Sequence, residues 1–354
     1  EFGNPSAFPT ETNPVSVALG DLNGDGDLDM VAANVGTNNV SVLLGVGNGS
    51  FGAKVDFATG SAPKGVALGD MNSDGDLDIV TANAQSNNVS VLLGTGSGSF
   101  GAPQNFATAR NPEAVVVADL NGDGDLDISA VGKYTVGYGG SSKMSVLLSD
   151  GAGGFDPRVE YTPGTQPTSV AAADVTGDGI SDLLTANRFD GSVSLFPGTG
   201  GGAFGAPAVL PIGYGTTPTT LALGDLNEDG SPDVVTANGN GTVAALINVG
   251  NGTFGTPAFQ PAGTTTDSVA LGDVNGDGNL DAVAAAVGDS DMNVLLGNGS
   301  GQLATATPFD AGHASYSSAL GDVNGDGKLD VALAQGNANQ SSVLLNTSSY
   351  LPEN

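Results

Sequence analysis

Seven times along the chain, acidic and amide residues recur in the spacing D-x-N-x-D-G-x-x-D, beginning at Asp21, Asp70, Asp119, Asp174, Asp225, Asp273 and Asp322. Alternate side chains in such a stretch turn toward one point, and the glycine permits the sharp bend that brings a backbone carbonyl to the same point. Oxygen donors in that number suit Ca²⁺. The first loop offers Asp21, Asn23, Asp25 and Asp29 through side chains and Asp27 through its carbonyl. The next two offer Asp70, Asn72, Asp74, Asp76 and Asp78, then Asp119, Asn121, Asp123, Asp125 and Asp127. The fourth has Asp174, Thr176, Asp178, Ile180 and Asp182, and the fifth Asp225, Asn227, Asp229, Ser231 and Asp233. The last two are Asp273, Asn275, Asp277, Asn279 and Asp281, then Asp322, Asn324, Asp326, Lys328 and Asp330.

The seventh loop position varies from Asp27 to Ile180 and Lys328, which fits a carbonyl donor and excludes a side-chain ligand there. An EF-hand is excluded, because position twelve of the first loop is Ala32 where a bidentate Glu is required. The fourth loop, with Thr176 in place of Asn, is expected to be the weakest site. The predicted cofactor is therefore Ca²⁺, up to seven ions, with a mainly structural role: carboxylates gathered this closely repel one another when empty, so cation binding favours the folded state.

Successive loops are 48 to 55 residues apart, a period that fits a propeller blade. Each unit holds an alternating strand such as VSVALG, the acidic loop, DMVAAN, NVSVLLG, a Gly-rich turn and a strand around KVDFAT. No unit carries helical periodicity. The spacing predicts an all-β, seven-bladed propeller with four antiparallel strands per blade, filling residues 1–354 as one domain. The last unit stops after QSSVLLN, and Phe8 precedes Asp21 by the same interval that separates Phe57 from Asp70 and Phe106 from Asp119. A segment around residues 6–10 is thus predicted to complete blade seven and close the ring. Glu1 and Phe2 are taken as a remnant of cloning, without functional weight.

The chain of 354 residues has a formal charge of -30 and only 8 Lys and Arg, which argues against nucleic acid and anionic membranes as partners. The seven loops account for 25 of the 38 acidic residues, so most of that charge is site chemistry. There is no Cys, and no apolar stretch approaches the roughly 20 residues of a membrane helix. The chain is expected to be mature and soluble.

The residues GSFGA at Gly49–Ala53, GSFGAP at Gly98–Pro103 and GAFGAP at Gly202–Pro207, each following an acidic loop, resemble FG-GAP or VCBS-type repeats. The likeness covers nearly the whole chain. It extends to the propeller head of integrin α subunits, to bacterial exported proteins and to lectin-like propellers, and it implies the fold more strongly than a function. Departures occur at Asp156, which follows Phe155, and at Leu303–Ala304, which replace the Phe-Gly pair.

Insertions and unusual side chains fall on the face opposite the acidic loops. Arg110, Lys133, Tyr134, Tyr138, Lys143, Arg188, Phe189 and Tyr214 all belong to loops around blades three to five. Aromatic and basic groups together suit a glycan or an acidic protein partner. Tyr161, which takes the place of the repeat's Phe, is expected to pack in the core. No catalytic constellation stands out: the only His is His313, near Tyr316 in the sequence, a pair that would have to serve as acid and base in a lyase acting on acidic glycans. The function expected first is a secreted or cell-surface adhesion or carbohydrate-recognition module. A lyase, or an interaction domain of a larger surface protein, are the alternatives.

Overall fold

The computed structural model describes residues 1–133 and 142–348. Seven four-stranded antiparallel sheets form a closed ring of blades. In blade one the strands run outward as Pro14–Gly20, Asp29–Asn34, Asn39–Leu43 and Val55–Ala58. Five innermost strands begin with proline, at Pro14, Pro63, Pro112, Pro167 and Pro218, where the first strand position tolerates a missing N–H.

The second strand is buried along its full length in every blade, because each sheet is covered on both faces by its neighbours. That double burial explains its near-continuous run of Ala, Val, Leu and Ile. The apolar core accordingly lies in the seams between blades. Val31, Val40 and Val42 of blade one pack with Ile79 and Leu92 of blade two, while Met30 and Leu43 pack with Ala332, Ala334 and Val343 of blade seven. The outermost strands are short and largely exposed, a form that leaves little edge for another chain to extend.

Where an outer strand carries an inward-facing aromatic, that ring reaches the next blade; blades four and five carry Leu210 and Gln260 in its place. Phe57 meets Phe100 and Phe106 meets Phe155 edge-on, with centroids 5.2 and 4.7 Å apart. Tyr161 holds the same place against Phe204 at 5.5 Å, and its hydroxyl accepts the Phe204 N–H at 3.1 Å. Closure follows the predicted route: Ser6–Pro9 pairs with Gln340–Leu344 as the outer strand of blade seven.

The N-terminus also packs in the ring at Phe2, a residue expected to carry no weight. Phe2 forms an isolated bridge with Asn346, as Phe51 does with Gly45, and the Gly3 N–H donates to the Leu345 carbonyl at 2.8 Å, as Gly52 does to Leu44 at 2.7 Å. Phe2 and Gly3 therefore occupy the Phe-Gly position of blade seven, supplied from the opposite end of the chain. Phe2 is a packing residue of the ring, which corrects the expectation that it carries no weight.

Candidate functional site

The seven acidic loops share one geometry. The first Asp accepts the N–H of the sixth residue, as Gly26 to Asp21 at 2.9 Å, Gly179 to Asp174 at 2.7 Å and Gly327 to Asp322 at 2.7 Å. The carboxylate at position five accepts the N–H at position seven, at 2.9 Å for Asp27, Ile180 and Asn279 alike. Position seven thus takes part through its backbone, which is why its side chain is free to vary. The fourth loop keeps both bonds despite Thr176. In the seventh, the Lys328 ammonium stands 3.6 Å from Asp326.

The ninth position is different in kind. Asp29, Asp78, Asp127, Asp182, Asp233, Asp281 and Asp330 are wholly buried. In blade one Asp29 Oδ2 accepts the Leu22 N–H at 2.8 Å and Oδ1 accepts the Gly45 N–H at 2.7 Å. The same pair of bonds recurs down to blade seven, with Val323 at 3.1 Å and Asn346 at 2.7 Å on Asp330. This carboxylate ties the acidic loop to the Gly-rich turn after the third strand, a role that loop spacing alone does not reveal.

Electrostatics within the loop follow from these contacts. Burial works to raise the Asp21 carboxyl, but the N–H groups of Gly26, Gly24, Asn23 and Asp25 outweigh it and hold the group below the ordinary range. Burial pushes Asp29 up, the Gly45 and Leu22 N–H groups oppose it, and the charges of Asp25 and Asp21 add to the rise. Asp281 and Asp330, with the same surroundings, are pushed up to about 6. The ninth-position carboxyl thus feels the charges of the first and fifth, and every side-chain donor of the first loop is an oxygen-bearing group, as a hard divalent cation requires. The donor chemistry fits calcium. The side chains are turned to N–H partners, Asn23 Nδ2 donating to Asp25 Oδ2 at 2.9 Å, and among the described residues no three acidic or imidazole groups converge on a common point.

On the opposite face, Arg188 and Phe189 lie in the loop between the second and third strands of blade four, and Tyr214 lies in the connection to blade five. The two segments are joined where the Ile212 and Gly213 N–H groups donate to the Gly191 carbonyl at 2.9 and 3.0 Å. Phe189 is 72% exposed and Tyr214 is 104% exposed. Phe259, an outer-strand residue of blade five that the sequence reading passed over, is 42% exposed nearby. Arg110 is exposed before the first strand of blade three, and Lys133 is half-buried after the second. Lys143 donates to Thr162 Oγ1 at 2.9 Å. Tyr134 and Tyr138 lie outside the described residues. His313 is exposed, whereas Tyr316 is half-buried with its hydroxyl 3.3 Å from Asn337 Oδ1.

An axial cavity of about 280 Å³, marked by no motif in the sequence, opens on this loop face. Each blade contributes the residue six before its first loop Asp, and the residue after it. Among these are Lys64, Glu113, Asp267 and Tyr316, and Arg188 reaches the rim. Lys64 binds both carboxylate oxygens of Glu113 at 2.8 Å, bridging blades two and three. Around most of the remaining ring, hydroxyls stitch one blade to the next: Ser16 accepts the Val66 N–H, Ser169 that of Leu221, Thr220 that of Val269 and Ser317 that of Val17, at 3.1 to 3.4 Å. Blades two and three carry Gly65 and Ala114 in that column, and there the Lys64–Glu113 pair takes over.

A family model described as FG-GAP-like repeat matches residues 21–81, 70–129, 174–236, 225–284 and 282–333. No curated protein matches the chain. Among solved structures, the crystal structure of BBS1N in complex with ARL6DN, soaked with mercury, is similar with a TM-score of 0.67 at 11% identity, covering 99% of this chain and 98% of that one. The same complex soaked with lead gives a TM-score of 0.64 at 12% identity, with the same coverage. At such identity the likeness is one of fold.

Proposed function

The chain belongs to the FG-GAP-like repeat family, and on that premise we propose that it is a calcium-stabilised binding propeller whose loop face docks a protein partner. The observation that carries this reading is the exposure of Phe189 and Tyr214 beside Arg188, held in one sector by the Gly191 carbonyl. Large aromatic side chains and arginine are the groups that anchor interfaces, and a monomer gains nothing by exposing them. Support also comes from BBS1N, which shares the fold and is seen in complex with ARL6DN.

Calcium, on this reading, is held by oxygens of the first, third, fifth and ninth loop positions and the seventh carbonyl. Its charge relieves the repulsion among Asp21, Asp25 and Asp29 and their counterparts. Sites of this kind in extracellular modules bind at roughly 10⁻⁴ to 10⁻³ M, which suits a secreted or cell-surface adhesion module working in a calcium-rich exterior.

The test is binding of the calcium-loaded protein to an array of purified extracellular proteins, repeated with a Phe189→Ala, Tyr214→Ala double variant. A partner whose affinity falls at least about tenfold in the variant, with the melting temperature unchanged, supports the reading. Partner binding that ignores the double substitution contradicts it.

A further inference from the structure

We propose that the axial cavity binds a single neutral sugar ring, at a site that shares Arg188 with the docking sector but neither Phe189 nor Tyr214. Its size sets the first limit. At about 280 Å³ it lies just under the roughly 300–1,000 Å³ typical of ligand pockets, enough for one ring and too small for an oligosaccharide.

Its charges set the second. Lys64 and Glu113 neutralise each other, and Arg188 and Asp267 carry opposite charges within electrostatic reach. An anion would face Glu113 and Asp267, and a cation would face Lys64 and Arg188. A neutral ligand meets neither penalty.

The unsatisfied hydrogen-bonding groups set the third. Asp267 is half-buried, yet its carboxylate accepts no hydrogen bond from the described residues, and the Arg188 guanidinium makes none either. Burial without donors raises the Asp267 carboxyl, with Arg188 pulling the other way. A carboxylate left in that state is matched by a pair of neighbouring ligand hydroxyls, which donate to its two oxygens. Ser16, Ser169, Thr220 and Ser317 each use one lone pair on a backbone N–H and keep an O–H to donate. Donors and acceptors thus surround the cavity, as they surround a sugar ring, and Tyr316 supplies an aromatic surface. An amino acid would need an apolar subsite for its side chain, and the lining offers only Val15 and Ala114 besides Tyr316.

Saturation-transfer NMR with methyl glycosides of glucose, galactose, mannose and fucose tests this, with glucuronate and lysine as charged probes. Transfer to at least one neutral glycoside is expected. Its affinity should fall about tenfold or more in Asp267→Asn and in Arg188→Gln, and stay unchanged in Phe189→Ala. The Asp267 carboxylate accepts no hydrogen bond from the described residues and Arg188 is exposed, so both variants should fold, which their melting temperatures check. Transfer to none of the neutral glycosides, transfer only to glucuronate or lysine, or an affinity indifferent to both cavity variants would overturn the proposal. Loss of glycoside binding in Phe189→Ala alone would place the ligand at the docking sector and overturn it equally.

Discussion

The ring of Phe2 meets that of Phe309 edge-on, with centroids 5.3 Å apart and planes at 77°. Phe309 lies in the outer strand of blade six, so this pair is the blade-six counterpart of Phe57 with Phe100. A residue from the start of the chain thereby completes the seam between the last two blades.

Replacing Phe2 with Ala should lower stability by about 1–3 kcal/mol, less than a fully buried Phe because the ring is only partly covered. Phe189→Ala, which removes an exposed ring, should stay within about 0.5 kcal/mol of wild type. Denaturant unfolding of both variants measures the difference. Equal stability of the two would show that the N-terminal contact does not hold the ring closed.

Asp25 and Asp29 should separate the cation-binding role of a loop from its scaffolding role. Asp29→Asn replaces a carboxylate that accepts two backbone N–H groups with an amide that has one acceptor oxygen, so it should cost roughly 1.5–3 kcal/mol even in chelator. Asp25→Asn, at an exposed position, should leave the chelated protein nearly unchanged and reduce only the stability added by calcium. Thermal melts of each variant in calcium and in chelator would reveal the split. A chelated Asp29→Asn protein as stable as wild type would contradict the scaffolding role.

What the sequence made legible was whatever repeats. Seven loops in register, and Phe8 at the interval of Phe57 and Phe106, carried the blade count, the strand order and the route of closure. Phe2 escaped because its partner strand lies at the far end of the chain, so no acidic loop precedes it in sequence as one precedes Phe51. The scaffolding bonds of Asp29 escaped because Gly45 is sixteen residues away and its N–H is brought back only by the third strand. The cavity was present as a column six residues before each first Asp, in which Lys64, Glu113, Asp267 and Tyr316 interrupt an otherwise small or aliphatic series. Alternation marked these residues only as one face of a strand. That seven such faces converge on an axis follows from ring closure, which no single repeat contains.

The measurement that bears most directly on the acidic loops is the melting temperature of the wild-type protein across a calcium titration, starting from the fully chelated state. With calcium tenfold above its Kd, each filled site adds ~1.4 kcal/mol. Several sites together should then raise Tm by about 5 °C or more, with magnesium giving a smaller rise because it demands a more rigid octahedral shell. A Tm that does not move with calcium would mean the loops are closed turns held by their own N–H bonds, and would contradict calcium as the ring's stabilising cation.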